Sequence, residues 1–231
     1  MRMKKIALLF AALLFAMSAC AQEGEKSVSI IVPNGAPAFV FAQMMSEGGQ
    51  FEGYEVACEV VLGAEALQAR INDFDLAVMP TNMAANLYNK GTSIQLVSVV
   101  VHGTLYLVGR SQISSLESLK GKVVYNIGKG NTPDITFKYL LEQSGIAYNE
   151  DENPNEGEVT LKYVQEATQL MPQLISGEIE YAVIGEPQVT QALENTKNSE
   201  NPIQVIFDIQ QKWEEMTGKP YPQAALVGKK D

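Results

Sequence analysis

Short apolar runs alternate with segments of helical period through almost the whole chain, and the elements can be read off in order. The first half predicts strands at Val28–Val32, Glu55–Leu62, Asp75–Met79 and Ile94–Val101, separated by helices at Ala38–Ser46, Ala64–Ile71 and Asn82–Asn89. Lys90-Gly91 ends the third helix as a C-terminus should. Past His102-Gly103, Leu105–Gly109 reads as an extended segment leaving this first group, and Ser114–Lys120 as a short capped helix before a strand at Lys122–Asn126. The second half continues with helix Ile135–Ser144, strand Val159–Val164, helix Glu166–Ser176, strand Tyr181–Ile184, helix Pro187–Asn195, strand Ile203–Phe207 and helix Ile209–Thr217. Ala224–Val227 is a return strand, and the polar stretches Asn149–Glu158 and Asn195–Pro202 are solvated surface connectors. Such alternation argues for an α/β fold with mainly parallel sheets.

The two halves echo one another. Asp75–Met79 aligns with Glu180–Ile184, each preceded by a helix and followed by a tight turn into the next one, Pro80-Thr81-Asn82 in the first half and Gly185-Glu186-Pro187 in the second. Ligands of open α/β sheets lie beyond the carboxyl ends of the strands, so both turns are where binding groups are expected. Asn34–Pro37, after the first strand, and Lys129–Asp134, after Val123–Ile127, are turns of the same kind. The second can expose unpaired backbone N–H groups at the positive end of a helix dipole and hold an anionic or strongly polar molecule. Equally, Thr132 can simply cap a helix with Pro133 at its first position. Candidate ligand-binding residues are therefore Asn34, Gly35, Pro37, Thr81, Asn82, Gly130, Asn131, Thr132 and Glu186, with His102 and Gly103 at the crossover between the halves.

The N-terminus changes the picture of where the chain works. Arg2, Lys4 and Lys5 precede the apolar run Ile6–Met17, which is too short for a membrane anchor and reads as a targeting segment. It ends Met17-Ser18-Ala19-Cys20, small residues leading into a cysteine, which resembles the lipobox of bacterial lipoproteins. Cys20 would then carry lipid, and Ala21–Lys26 would be a polar tether. With 17 basic and 27 acidic residues, nucleic acid is an unsuitable partner. Cys58 is then the only other cysteine, so no intramolecular disulfide can form, and it reads as a small core residue on a strand.

Catalytic signals are missing. There is no GxSxG elbow, no GxxxxGK[ST] phosphate loop, and no HExxH or CxxC spacing; neither a metal nor another cofactor is expected. Asn34, Thr81, Asn82, Asn131 and Thr132 are neutral polar groups, which suit recognition better than turnover.

The run Phe74-Asp75-Leu76-Ala77-Val78-Met79-Pro80-Thr81-Asn82-Met83-Ala84-Ala85-Asn86-Leu87-Tyr88-Asn89-Lys90-Gly91 resembles a stretch shared by solute-binding proteins of ABC importers, in the group of sulfonate, nitrate, taurine and thiamine-precursor binders. His102–Leu107, Leu116–Lys122, Gly128–Asp134 and Tyr221–Val227 fit the same pattern. The resemblance implies a two-lobed periplasmic-binding-protein fold of type II, hinged by two crossovers and closing on a small polar, anionic solute. It implies delivery to a permease with its ATPase, a monomeric receptor, and a place in the cell envelope, lipid-anchored outside the cytoplasm. On that reading residues 1–19 are the signal, 20–26 the tether, 27–101 the first lobe, 102–109 a crossover, 110–220 the second lobe and 221–231 the return strand. Members of the group normally continue with helices that complete the first lobe, so either the sequence is a fragment or the first lobe is naturally short, and a lobe lacking those helices is expected to carry an exposed apolar face. A ligand-sensing receptor subunit is the alternative. A biosynthetic enzyme on the same fold is a weaker one, since the cysteine-rich metal motif of the pyrimidine-precursor synthases is absent and an export signal does not suit cytoplasmic synthesis.

Overall fold

The computed structural model describes residues 26–230, so the signal segment, Cys20 and all of the tether but Lys26 lie outside the described residues. Lys26 opens β1 (Lys26–Pro33), which is followed by α1 (Ala36–Phe39), α2 (Ala42–Ser46), β2 (Gln50–Phe51), β3 (Tyr54–Val61), α3 (Gly63–Ala69), β4 (Leu76–Pro80), α4 (Thr81–Asn89) and β5 (Ile94–His102). Then come β6 (Leu105–Gly109), β7 (Val123–Ile127), α5 (Thr132–Gln143), β8 (Tyr148–Asn149), β9 (Val159–Val164), α6 (Ala167–Ser176), β10 (Tyr181–Gly185), α7 (Gln188–Thr196), β11 (Gln204–Asp208), α8 (Ile209–Thr217) and β12 (Pro222–Lys229).

The strands form two six-stranded sheets, ordered β2-β3-β1-β4-β12-β5 and β11-β6-β10-β7-β9-β8. In the first, β1 runs parallel to β3 and β4, and β12 returns antiparallel between β4 and β5. In the second, β7 runs parallel to β9 and β10, while β6 lies antiparallel to β10 and β11. The chain has the two-lobed α/β architecture that the alternation implies, with the echoing strands β4 and β10 in the interior of their sheets. It passes between lobes at Gly103-Thr104 and again between α8 and β12.

Apolar faces of the helices fix the layers. In the second lobe, Phe137, Leu140 and Leu141 of α5 and Ile209 of α8 pack on one face of the sheet, and Leu170, Leu174, Val189 and Ala192 of α6 and α7 on the other. In the first lobe, Leu67 of α3 and Met83, Ala84 and Leu87 of α4 cover one face, whereas the other receives only Ala38, Phe41 and Met44 from the α1–α2 region. The helix expected as Ala38–Ser46 is two short ones, and the break between them lets Phe41 and Met44 both reach the sheet. Cys58 packs against that same cluster, and burial pushes its thiol pKa up. The two-residue strands β2 and β8 are too short to leave a period in the sequence. No helix among the described residues is long and apolar enough to cross a membrane.

Candidate functional site

A cavity of about 120 Å³ lies between the two sheets. Its walls are the carboxyl ends of parallel strands from both lobes: Pro33 of β1 and Pro80 of β4 on one side, Ile127 of β7 and Gly185 of β10 on the other. The turns that follow these strands supply Asn34, Gly35 and Pro37, then Gly128, Asn131 and Pro133, and then Glu186 and Gln188. Gln165 and Glu166 enter from the turn between β9 and α6, and Thr104 and Gln223 from the two crossovers. At that crossover the Thr104 backbone N–H donates to Gln223 Oε1 at 2.8 Å, tying the two connecting segments together.

Five of the eleven candidate residues line the cavity: Asn34, Gly35, Pro37, Asn131 and Glu186. The other six sit elsewhere for visible reasons. Asn82 and Thr132 are turned to each other across the lobes: Asn82 Nδ2 donates to the Gly130 carbonyl at 2.9 Å, and Thr132 Oγ1 donates to Asn82 Oδ1 at 3.1 Å. Together with Gln165 Nε2 donating to Glu65 Oε1 at 3.1 Å, these bonds join the lips of the cleft and put the molecule in a closed arrangement. Thr81 faces away, into an apolar groove between α4 and β5. His102 is exposed at the end of β5. Gly103 has a φ of 31° and lies against Gln210 of α8; a Cβ there would fall 2.6 Å from Gln210 Cβ, so glycine is required by close packing rather than by a ligand.

The turn between β7 and α5 is held from inside. Gly128 and Gly130 both have positive φ, Asn131 is the N-cap without a side-chain capping bond, and Pro133 follows Thr132 in the first turn. Thr132 is thus not the cap. Asp134, 1 % exposed, accepts from Gly130 N at 2.8 Å, from Lys138 Nζ at 3.1 Å and from Tyr163 OH at 2.8 Å. Lys138 also reaches Glu150 at 3.0 Å, and Glu150 pairs with Lys129. Hydrogen bonds from Lys129 and Lys138 hold the Glu150 carboxyl below its usual range. Although burial opposes it, bonding to Glu150, Tyr163 and Asp134 holds the Lys138 ammonium above its own.

The electrostatic character of the cavity comes from two carboxylates. Among the residues lining it there is no Lys, Arg or His, but there are Glu166 and Glu186. Glu166 is the N-cap of α6 in a capping box with Gln169, and burial raises its pKa. Glu186 accepts from Thr190 N and Thr190 Oγ1, both at 3.1 Å, in the first turn of α7. Sequence spacing gave Glu186 at a helix start; Gln165, Glu166, Gln188 and Gln223 were missed. Glu166 with Gln169 three residues on is a capping-box signature and could have been found that way.

Comparison with solved structures points one way. The chain is similar to an ABC transporter structure from Parabacteroides distasonis, with a TM-score of 0.69 and 26 % identity over 88 % of this chain and 66 % of that one. It also resembles the ligand-binding component of an ABC-type import system from Staphylococcus aureus, solved with zinc bound, with a TM-score of 0.62 and 13 % identity over 88 % of this chain and 66 % of that one. A third likeness is to the alkanesulfonate-binding protein SsuA of Xanthomonas axonopodis pv. citri, with a TM-score of 0.61 and 16 % identity over 90 % of this chain and 67 % of that one. No protein-family model and no curated protein matches the chain. The fold is therefore the one these structures share, and two of the three are binding proteins by description. The chain spans 66 % of the length of the Parabacteroides protein.

Proposed function

We propose that this chain is the solute-binding receptor of an ABC importer, which closes two lobes on a small polar solute and hands it to a permease driven by an ATPase. The observation that carries this reading is the cavity walled by strand ends of both sheets, with cross-lobe hydrogen bonds at its lips and only two connections at its back. Five of the predicted residues, Asn34, Gly35, Pro37, Asn131 and Glu186, form its contacts with the solute, joined by Gln165, Glu166, Gln188 and Gln223. The first lobe runs through β5 to His102 and takes back the return strand β12, the second begins with β6 at Leu105 and runs to 220, and Gly103-Thr104 crosses between them, so the crossover is shorter than the 102–109 expected. The receptor works as a monomer outside the cytoplasm, anchored through lipid on Cys20, and it belongs with the sulfonate, nitrate, taurine and thiamine-precursor binders. No bond is made or broken in the solute.

The test is ligand-dependent closure. Adding a solute that binds should raise the melting temperature and contract the radius of gyration in small-angle scattering. Solute at a hundred times its Kd should stabilise the protein by about 2.7 kcal/mol. Chemical turnover of the bound solute, followed by mass spectrometry, would sink the reading in favour of an enzyme.

A further inference from the structure

Resting on the receptor reading, we infer that the cleft selects a solute bearing a protonated amino group, bound through Glu166 and Glu186. This departs from the anionic solute expected from the Gly130–Thr132 turn. Three helices of the second lobe, α5, α6 and α7, begin at or beside the cavity, and their N-termini would be the natural anion sites of such a fold. Two of them, α6 and α7, carry an acidic side chain of the chain itself at their start, and a third carboxylate, Asp134, sits in the first turn of α5. Asp134 takes the Gly130 N–H before α5, Glu166 caps α6, and Glu186 takes the Thr190 N–H in the first turn of α7. Asn34 acts alike in the first lobe, its Oδ1 accepting the N–H of Gly35 at 2.9 Å.

These carboxylates put negative charge where an anion would dock at a helix N-terminus, and Asp134 alone is neutralised, by Lys138. Glu166 and Glu186 face the cavity with no cationic side chain beside them. Glu166 is also pressed between the lobes: Gly63, the first residue of α3, has a φ of 75°, and a Cβ there would lie 3.0 Å from Glu166 Oε1. Burial without a counter-charge disfavours the ionised carboxylate, and a bound ammonium would remove that penalty as the lobes close. The amides of Gln165, Gln188 and Gln223 add neutral donors and acceptors for the remainder of the solute.

Thermal shift and calorimetry on the full chain with four probes decide the matter: ethanolamine and agmatine as cations, methanesulfonate and nitrate as anions. The cations should bind and the anions should not, and Glu166→Gln should weaken the cations roughly tenfold or more while keeping the helix start, because the backbone N–H of residue 166 still donates to Gln169 Oε1 and its carbonyl still accepts from Gln169 N. Glu186→Gln provides a second variant should the first fold poorly. Binding of methanesulfonate or nitrate with the amines silent would overturn the inference and leave the receptor reading standing. Silence from all four, with no contraction of the lobes, would overturn both.

Discussion

The two lobes are built from sheets of six strands each, yet they differ in how completely they are covered. In the second lobe, β10 is buried along its whole length, and helices lie on both faces. In the first, β5 is almost as apolar in sequence, but Leu96 is 63 % and Val97 54 % exposed. An apolar groove of about 430 Å³ runs between β5, β12 and α4, lined by Ala84, Tyr88, Leu96, Ala225 and Val227. The exposed apolar face expected on the first lobe is there. The difference teaches that a strand's apolar pattern states what can be buried, whereas the helices laid over it decide what is. The cleft follows the same division, since its charge and its internal hydrogen bonding come mainly from the second lobe, and the first contributes mostly backbone and small residues.

Paired truncations give the largest expected effect. Phe137→Ala, at a fully buried position between α5 and its sheet, should cost about 3–5 kcal/mol in urea denaturation. Leu96→Ala should cost less than about 0.5 kcal/mol, because that side chain has little packing to lose. Equal costs would mean that the face around β5 is covered in solution, and sedimentation should then find a partner or a second copy.

Next in size is the turn that carries Asn131. Asp134→Ala would strip the acceptor from Gly130 N–H, Tyr163 and Lys138 at a nearly inaccessible position, and should destabilise by about 3 kcal/mol. Solute affinity should fall as well, since Asn131 lines the cavity from that turn. A variant as stable as the parent would show that the second lobe is not stiffened by this network.

Much of this organisation was legible beforehand, and the gaps have physical reasons. The interior strands β1, β4, β7, β9 and β10 were read closely, because each is a short apolar run ending at a turn signal. Turns at strand ends led to Asn34, Asn131 and Glu186, since parallel topology forces those ends into one cleft. Spacing points to Asn82 and Thr132 as ligand contacts, whereas in the structure they bond to each other, because spacing places a side chain near a cleft without saying whether it faces the solute or the opposite lip. Gln223 could not be found from spacing at all; only the return of β12 between β4 and β5 brings it to the hinge.

The lip contact yields a smaller effect. Asn82→Ala removes two hydrogen bonds that exist only when the lobes meet, so it should cost about 1 kcal/mol of closure and weaken solute binding several-fold. Global stability should hardly change. Small-angle scattering should find the unliganded variant more open than the parent, and an unchanged radius of gyration together with unchanged affinity would remove Asn82 from the closing mechanism.

Glu166 gives the smallest effect and the one that best separates the cleft from the network around Asp134. Its pKa is raised by burial above the ordinary value of 4.5, so the folded protein holds the proton more tightly than the unfolded chain does. A raised carboxyl contributes stability below its unfolded pKa and loses it as pH rises through the folded one. At neutral pH the ionised Glu166 therefore slightly destabilises the unliganded protein, and Glu166→Gln should melt higher than the parent there. Below about pH 4 the parent's carboxyl is protonated in both states, and the two melting curves should converge. Glu150 has the opposite sign: Lys129 and Lys138 lower its pKa, so Glu150→Gln should melt lower at neutral pH and converge under acid. If both variants shifted in the same direction at pH 7, the contrast between an uncompensated carboxylate in the cleft and a compensated one behind the turn would fail.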